Sequence, residues 1–171
     1  MATDFDRLVE ELQQQIIEQA RAVYSDKVIE EFYHPKNLGR MHEPDAHAIR
    51  RGWCGDTMEI YVRLKGDKIE KATFITDGCG PTVACGSVLT QMVTGMSLAE
   101  ASQVRPVDLV VALDGLPEES LHCAELAIST LRDAICSRGA VDQPREETDM
   151  GASNLEGHNV KLDNEKGSVW R

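Results

Sequence analysis

Three short runs of this chain carry residues able to do chemistry: Cys54-Gly55-Asp56, Gly78-Cys79-Gly80 and His122-Cys123. The middle run is the most exposed to chemistry. Glycines on both sides of Cys79 leave no side chain to cover its sulfur and accept backbone angles that other residues resist. Pro81 follows and suits the first position of a helix. Cys79 is therefore expected just ahead of a helix N-terminus, where unpaired amides and the helix dipole favour a thiolate. A thiolate in such a notch can bind a metal, accept sulfur or attack an electrophile.

The other two runs narrow the choice. If the chain is extended through Cys54 and Asp56, both side chains point to one side. A hairpin that follows them and ends at Thr76 would bring both beside Cys79. Cys123 joins if the last helix packs its N-terminal end at the same sheet edge. The candidate set is then Cys54, Asp56, Cys79 and Cys123, with His122 beside them. Soft thiolates with a hard carboxylate suit zinc, ferrous iron or an iron–sulfur cluster. The local spacing matches neither a zinc finger nor a ferredoxin run. On the residues alone, a metal or cluster site stands beside the plainer reading of buried, inert cysteines.

The elements that must position these residues are legible from periodicity. Thr3 to Arg21 reads as an amphipathic helix with Phe5, Leu8, Val9, Leu12, Ile16 and Ala20 on one stripe, capped by Thr3 with Asp6. It is expected to dock over a sheet face, with an oligomer contact as the alternative. Ser25 caps a second helix ending near Tyr33-His34, with Val28, Ile29 and Phe32 facing inward. A loop with His42 follows, and both His42 and His47 read as solvated. His47 to Gly52, Thr57 to Lys65 and Lys68 to Thr76 read as strands, the last two joined by a Gly66-Asp67 turn and hence antiparallel. A helix from Pro81 to Val93 carries Cys85, Val88, Leu89 and Met92 on one face. Ser97 caps a short helix to Gln103, Pro106 starts another through Leu113, and Pro117 opens a long one to Cys136. That last helix has Leu121, Ala124, Ile128, Leu131 and Ile135 as its buried stripe and His122-Cys123 in its second turn. The fold class is α+β: a small three-stranded antiparallel sheet with helices packed on one face, and an extra N-terminal helix. The organisation expected is residues 1–22 as that helix, 23–137 as the main domain, and 138–171 as a polar, flexible tail.

Composition excludes several functions. The 171 residues carry a formal net charge of −11, which opposes nucleic-acid binding. No stretch is apolar enough to span a membrane, and the acidic start lacks a signal-peptide core. Five cysteines, an odd number, without an export signal argue for reduced thiols and a cytoplasmic location rather than a disulfide framework.

Together, Tyr24-Ser25 with Val28, Cys54-Gly55-Asp56, Gly78-Cys79-Gly80 and Leu116-Pro117 leading to Leu121-His122-Cys123 resemble the iron–sulfur cluster assembly scaffolds of the IscU type, including the N-terminal domain of NifU. The resemblance runs from about Val23 to Ile135. It implies that Cys54, Cys79 and Cys123 ligate a transient [2Fe-2S] cluster built from Fe(II), with Asp56 as fourth ligand or beside it. It implies Cys123 as acceptor of persulfide sulfur from a cysteine desulfurase, and His122 as an alternative ligand or proton donor. Apo iron–sulfur proteins would receive the cluster, and the scaffold would work as monomer or homodimer. The family's Leu-Pro-Pro-Val-Lys motif, read by a dedicated chaperone, stands here as Leu116-Pro117-Glu118-Glu119-Ser120, so chaperone dependence is open. Two other readings stay on the table. One is a sulfur acceptor of the SufU kind that holds Zn(II) and stimulates a desulfurase, though that branch usually carries an insertion between its second and third cysteines for which this chain has no room. The other is a structural zinc domain for protein interaction.

The remaining candidates have plainer expectations. Cys85 shares its stripe with core residues and reads as core packing. Cys136 lies about 20 Å along the helix axis from Cys123 at 1.5 Å per residue and reads as a structural or surface thiol. Trp53 is expected to shield the site, and Asp77 to make a turn.

Overall fold

A computed structural model describes residues 3–138. Three antiparallel strands, β1 (Ala46–Arg51), β2 (Thr57–Lys65) and β3 (Lys68–Thr76), form one sheet in the order β1-β2-β3. Two helices precede the sheet, α1 (Asp4–Arg21) and α2 (Asp26–Tyr33). Four follow it: α3 (Gly80–Val93), α4 (Leu98–Gln103), α5 (Pro106–Ala112) and α6 (Leu121–Ser137). This is the expected α+β architecture.

Register fixes which face is buried. Ile60 pairs with Phe74 and Val62 with Ala72, while Ala46 pairs with Val62 from the other side. Side chains at alternate positions share a face. Met58, Ile60, Val62, Ala72 and Phe74 thus form one fully buried layer, and α3 and α6 pack on it. Gly66 makes the hairpin turn at φ 67°, a left-handed angle that glycine accepts without strain. At Gly86 a side chain is forbidden for another reason. A Cβ there would lie 2.3 Å from the Phe74 ring, so a bare backbone is what lets α3 sit flat on β3.

Capping sets several helix starts. Thr3 and Asp6 form a reciprocal capping box on α1, Ser25 accepts the Val28 amide on α2, and Ser97 with Glu100 repeats the box on α4.

Several expectations need correction. Helix α1 has no buried residue and leans on α2 rather than on the sheet; Phe5, Leu8, Leu12 and Ile16 are all at least half exposed. Its apolar stripe gave the period but not the partner. Phe32 is 42% exposed, because it turns from the core to lie against Gly80. Pro81 is the second helical residue, behind Gly80. Pro117 starts a separate 3-10 turn, Glu118–Ser120, so α6 begins at Leu121 and His122-Cys123 fall in its first turn. Leu121 consequently lies off the buried stripe. His47 lies in β1 and stacks on Tyr61 with ring centroids 4.5 Å apart, so it is not a solvated loop residue. Residues 139–171, most of the expected tail, lie outside the described residues.

Candidate functional site

The base of the β2–β3 hairpin is stitched shut. The Thr57 amide donates to Asp77 Oδ1 at 2.6 Å, and the Thr76 hydroxyl donates to the Thr57 carbonyl at 2.6 Å. Asp77 therefore clamps the hairpin end as well as making a turn. This clamp brings Asp56, just before β2, against Gly78 and Cys79, just after β3. A Cβ on Gly78 would lie 2.6 Å from Asp56 Oδ2 and 2.7 Å from Thr82 Cβ, so the approach needs a glycine there.

Cys79 is the N-cap of α3, but its side chain makes no capping bond. That duty passes to Asp56, whose Oδ2 accepts the Cys79 amide at 3.3 Å and the Thr82 hydroxyl at 2.8 Å. A carboxylate at a helix N-terminus is favoured by the unpaired amides and the dipole. Cys123 arrives from the first turn of α6. Its Sγ lies 3.3 Å from Thr82 Oγ1, and Cys79 Sγ lies 3.4 Å from the same oxygen. Three of the expected donors, Asp56, Cys79 and Cys123, are therefore gathered around one hydroxyl.

His122 Nε2 lies 3.6 Å from Cys123 Sγ. Trp53 packs on His122 with ring centroids 4.9 Å apart, yet is 83% exposed, so it covers the histidine and does not roof the sulfurs. Cys54 stands apart. The chain turns at Trp53–Gly55 instead of running extended, with Gly55 at φ 97° and the Gly52 amide bonded to the Asp56 carbonyl at 2.8 Å. The alternation argument therefore does not apply to Cys54 and Asp56. Cys54 is exposed, and its sulfur leans toward Gly52.

The thiols differ in burial. Cys54 and Cys79 are exposed, whereas Cys85 and Cys123 are buried. Burial pushes the Cys123 thiol up to about 12; the Thr82 hydrogen bond pulls the other way, and the nearby Cys79 and Asp56 reinforce the rise. Burial raises Cys85 well above its ordinary value, in keeping with core packing. Cys136 is an exposed thiol on the last turn of α6.

Among the described residues, no group of three or more His, Cys, Asp or Glu side chains is spaced to hold a metal ion. The donors that do converge spend their contacts on Thr82. The chemistry of the set still fits a borderline or soft cation. Two sulfurs and one carboxylate oxygen point at a common centre, with His122 next to Cys123 at the start of α6. Thr82 is the residue that motif reading missed. Its position three after Cys79, on the same helix face, was the available signal.

The family profile described as NifU-like N terminal domain matches residues 23–140. The chain belongs to that family. Among curated relatives of this NifU-like chain, the Archaeoglobus fulgidus protein named iron–sulfur cluster assembly scaffold protein IscU 1 is 36% identical over 129 residues, covering 72% of this chain and 84% of the relative. The Escherichia coli K12 protein named iron–sulfur cluster assembly scaffold protein IscU is 34% identical over 117 residues, covering 66% and 91%. The nitrogen fixation protein NifU of Nostoc is 35% identical over 139 residues, 75% of this chain but only 46% of that protein. A crystal structure of a NifU-like N-terminal protein from Brucella abortus superposes with a TM-score of 0.57 at 20% identity, covering 69% of this chain and 95% of that one, which speaks for the fold alone.

Proposed function

We propose that this NifU-like chain is an iron–sulfur cluster assembly scaffold. It receives sulfur from a cysteine desulfurase and iron as Fe(II), builds a [2Fe-2S] cluster and passes it to apo-proteins. The cluster is cargo, so the chain acts as a carrier rather than as an enzyme. The names of its IscU relatives support the role. The observation that carries it to this chain is the convergence of Asp56, Cys79 and Cys123 on Thr82 Oγ1.

The proposed roles are those that the family resemblance implies for these residues. Cys54, Cys79 and Cys123 hold the cargo through sulfur. Asp56 supplies the fourth donor, an oxygen that binds iron less covalently than a thiolate and so favours handing on. His122, close to Cys123, is the alternative fourth donor. Cys123 is the proposed sulfur acceptor. Its thiolate attacks the terminal sulfur of the donor's persulfide, the donor S–S bond breaks, and the donor cysteine leaves as thiolate. A pair of electrons from an external reductant then frees the sulfur as sulfide for the cluster. Because Cys123 is buried, the donor must insert a segment into the notch rather than present a flat surface. Ligand thiols would lose their protons to solvent as thiolate binds the metal, so loading would release protons.

Glu118 and Glu119, which stand at the second-proline and valine positions of the chaperone-read motif, line an acidic mouth with Trp53, His122 and Glu125, and buried Ser120 stands at the lysine position. No helix among the described residues is long and apolar enough to cross a membrane.

Anaerobic incubation with Fe(II), cysteine and a desulfurase tests the role. A cluster that forms and moves to an apo-ferredoxin is the expected result. Tight retention of Zn(II), no cluster and a faster desulfurase would replace it with the sulfur-acceptor reading.

A further inference from the structure

Thr82 is fully buried, yet its hydroxyl faces three polar groups. A threonine hydroxyl has one proton to give and two lone pairs to receive. The contact to Asp56 Oδ2, at 2.8 Å, is the shortest of the three and ends on a carboxylate, so the proton is drawn there. The same hydroxyl also donates toward Cys123 Sγ at 3.3 Å, so its one proton is shared between carboxylate and sulfur, and it lies 3.4 Å from Cys79 Sγ, where either group can be the donor. Three partners around one hydroxyl leave it no free capacity.

The rotamer is fixed as well. A Cβ on Gly78 would lie 2.7 Å from Thr82 Cγ2, which shows how closely the methyl sits on that bare backbone. A β-branched side chain has little freedom at χ1, so a seated methyl aims the hydroxyl. Valine would fill the same volume without a polar atom to desolvate. A threonine serving only as core packing has no need of these three partners.

We infer that Thr82 is the positioning residue of the donor set, its hydroxyl standing at the point around which Asp56, Cys79 and Cys123 close and holding them there until a metal takes over. This rests on the metal-binding reading proposed above. Thr82 thus acts through the ligands and does not join them.

The test uses the full chain, reduced and anaerobic, with Co(II) alone as probe. Sulfur-to-cobalt charge-transfer bands report thiolate binding. Thr82→Val is expected to weaken Co(II) binding by about tenfold or more, the usual effect of losing an outer partner of a metal ligand, with Thr82→Ser restoring most of it. In an Asp56→Ala background, Thr82→Val should add little. Thermal unfolding checks each variant, and Thr82→Ala replaces Thr82→Val if the valine does not fold. Wild-type affinity in Thr82→Val, failure of Thr82→Ser to rescue, or an undiminished loss in the Asp56→Ala background would overturn the inference while leaving the scaffold role intact. Absence of charge-transfer bands in the wild type would instead overturn the metal reading. Hydrogen exchange of the Cys79 amide in the metal-free chain then decides the inference by itself. Faster exchange in Thr82→Val but not in Thr82→Ser supports it, and unchanged exchange overturns it.

Discussion

Asp56 holds the N-cap residue of α3: its Oδ2 accepts the Cys79 amide at 3.3 Å across the closed end of the hairpin. One carboxylate therefore serves both the fold and the donor set. Asp56→Ala should cost about 0.5–2 kcal/mol of stability, the range for a lost N-cap. It should also weaken thiophilic metal binding. Asp56→Asn keeps an oxygen able to accept the amide and should recover more stability than metal affinity. Urea unfolding and metal titration of the two variants separate the roles.

Thiol reactivity should divide the cysteines by burial. In the metal-free chain, Cys54, Cys79 and Cys136 are exposed and should be alkylated first. Cys85 and Cys123 should lag. A thiol pushed up to about 12 is almost wholly protonated at neutral pH, so Cys123 labelling should climb steadily as pH rises toward that value. Mass spectrometry of peptides from an iodoacetamide time course at several pH values checks both the order and the slope.

Glu31 is a buried carboxylate, 2% exposed, that ties α2 to α3 through Ser87 and Gln91 and pairs with Lys27 at 3.0 Å. Burial pushes its pKa up, but the bonds from Ser87, Lys27 and Gln91 outweigh that and the net direction is down. A depressed folded pKa means that its stabilisation is complete above the ordinary value of 4.5 and is lost as pH falls through the folded one. Glu31→Gln should destabilise by about 1–3 kcal/mol at neutral pH. The gap from wild type should close in acid, which urea melts at neutral and acidic pH would measure.

The apolar stripe of α1 should be dispensable for folding. Leu8 is 52% and Leu12 50% exposed. Leu8→Ser and Leu12→Ser should each leave stability within about 0.5 kcal/mol of wild type, as for surface sites generally. A thermal melt that drops by many degrees would place the stripe against the core after all.

The hairpin was the most legible part of the chain. Alternation from Met58 to Val62 and a glycine at the turn leave one register that buries Met58, Ile60 and Val62 with Ala72 and Phe74, and the β2 and β3 limits read from sequence match the structure. That register alone brought Asp56 toward Cys79. The turn at Cys54 was less legible, because a glycine at φ 97° redirects the side chains that an extended reading would align. Helix α1 shows the limit of amphipathicity: a stripe identifies the face that wants cover but not what covers it. Thr82 escaped for a different reason. A hydroxyl within an apolar helix reads as a core residue with its own backbone bond, and only the meeting of α3, α6 and the hairpin end shows its three partners.

The central claim is that Cys54, Asp56, Cys79 and Cys123 form one site for a transferable iron–sulfur cluster. Mössbauer and visible spectra of the anaerobically reconstituted chain, wild type beside Cys79→Ser, test it most directly. A [2Fe-2S] signal in the wild type that is lost in Cys79→Ser, with the variant still folded, is the predicted result. A wild type that binds no iron–sulfur cluster, or a cluster that survives the loss of Cys79 unchanged, would contradict it.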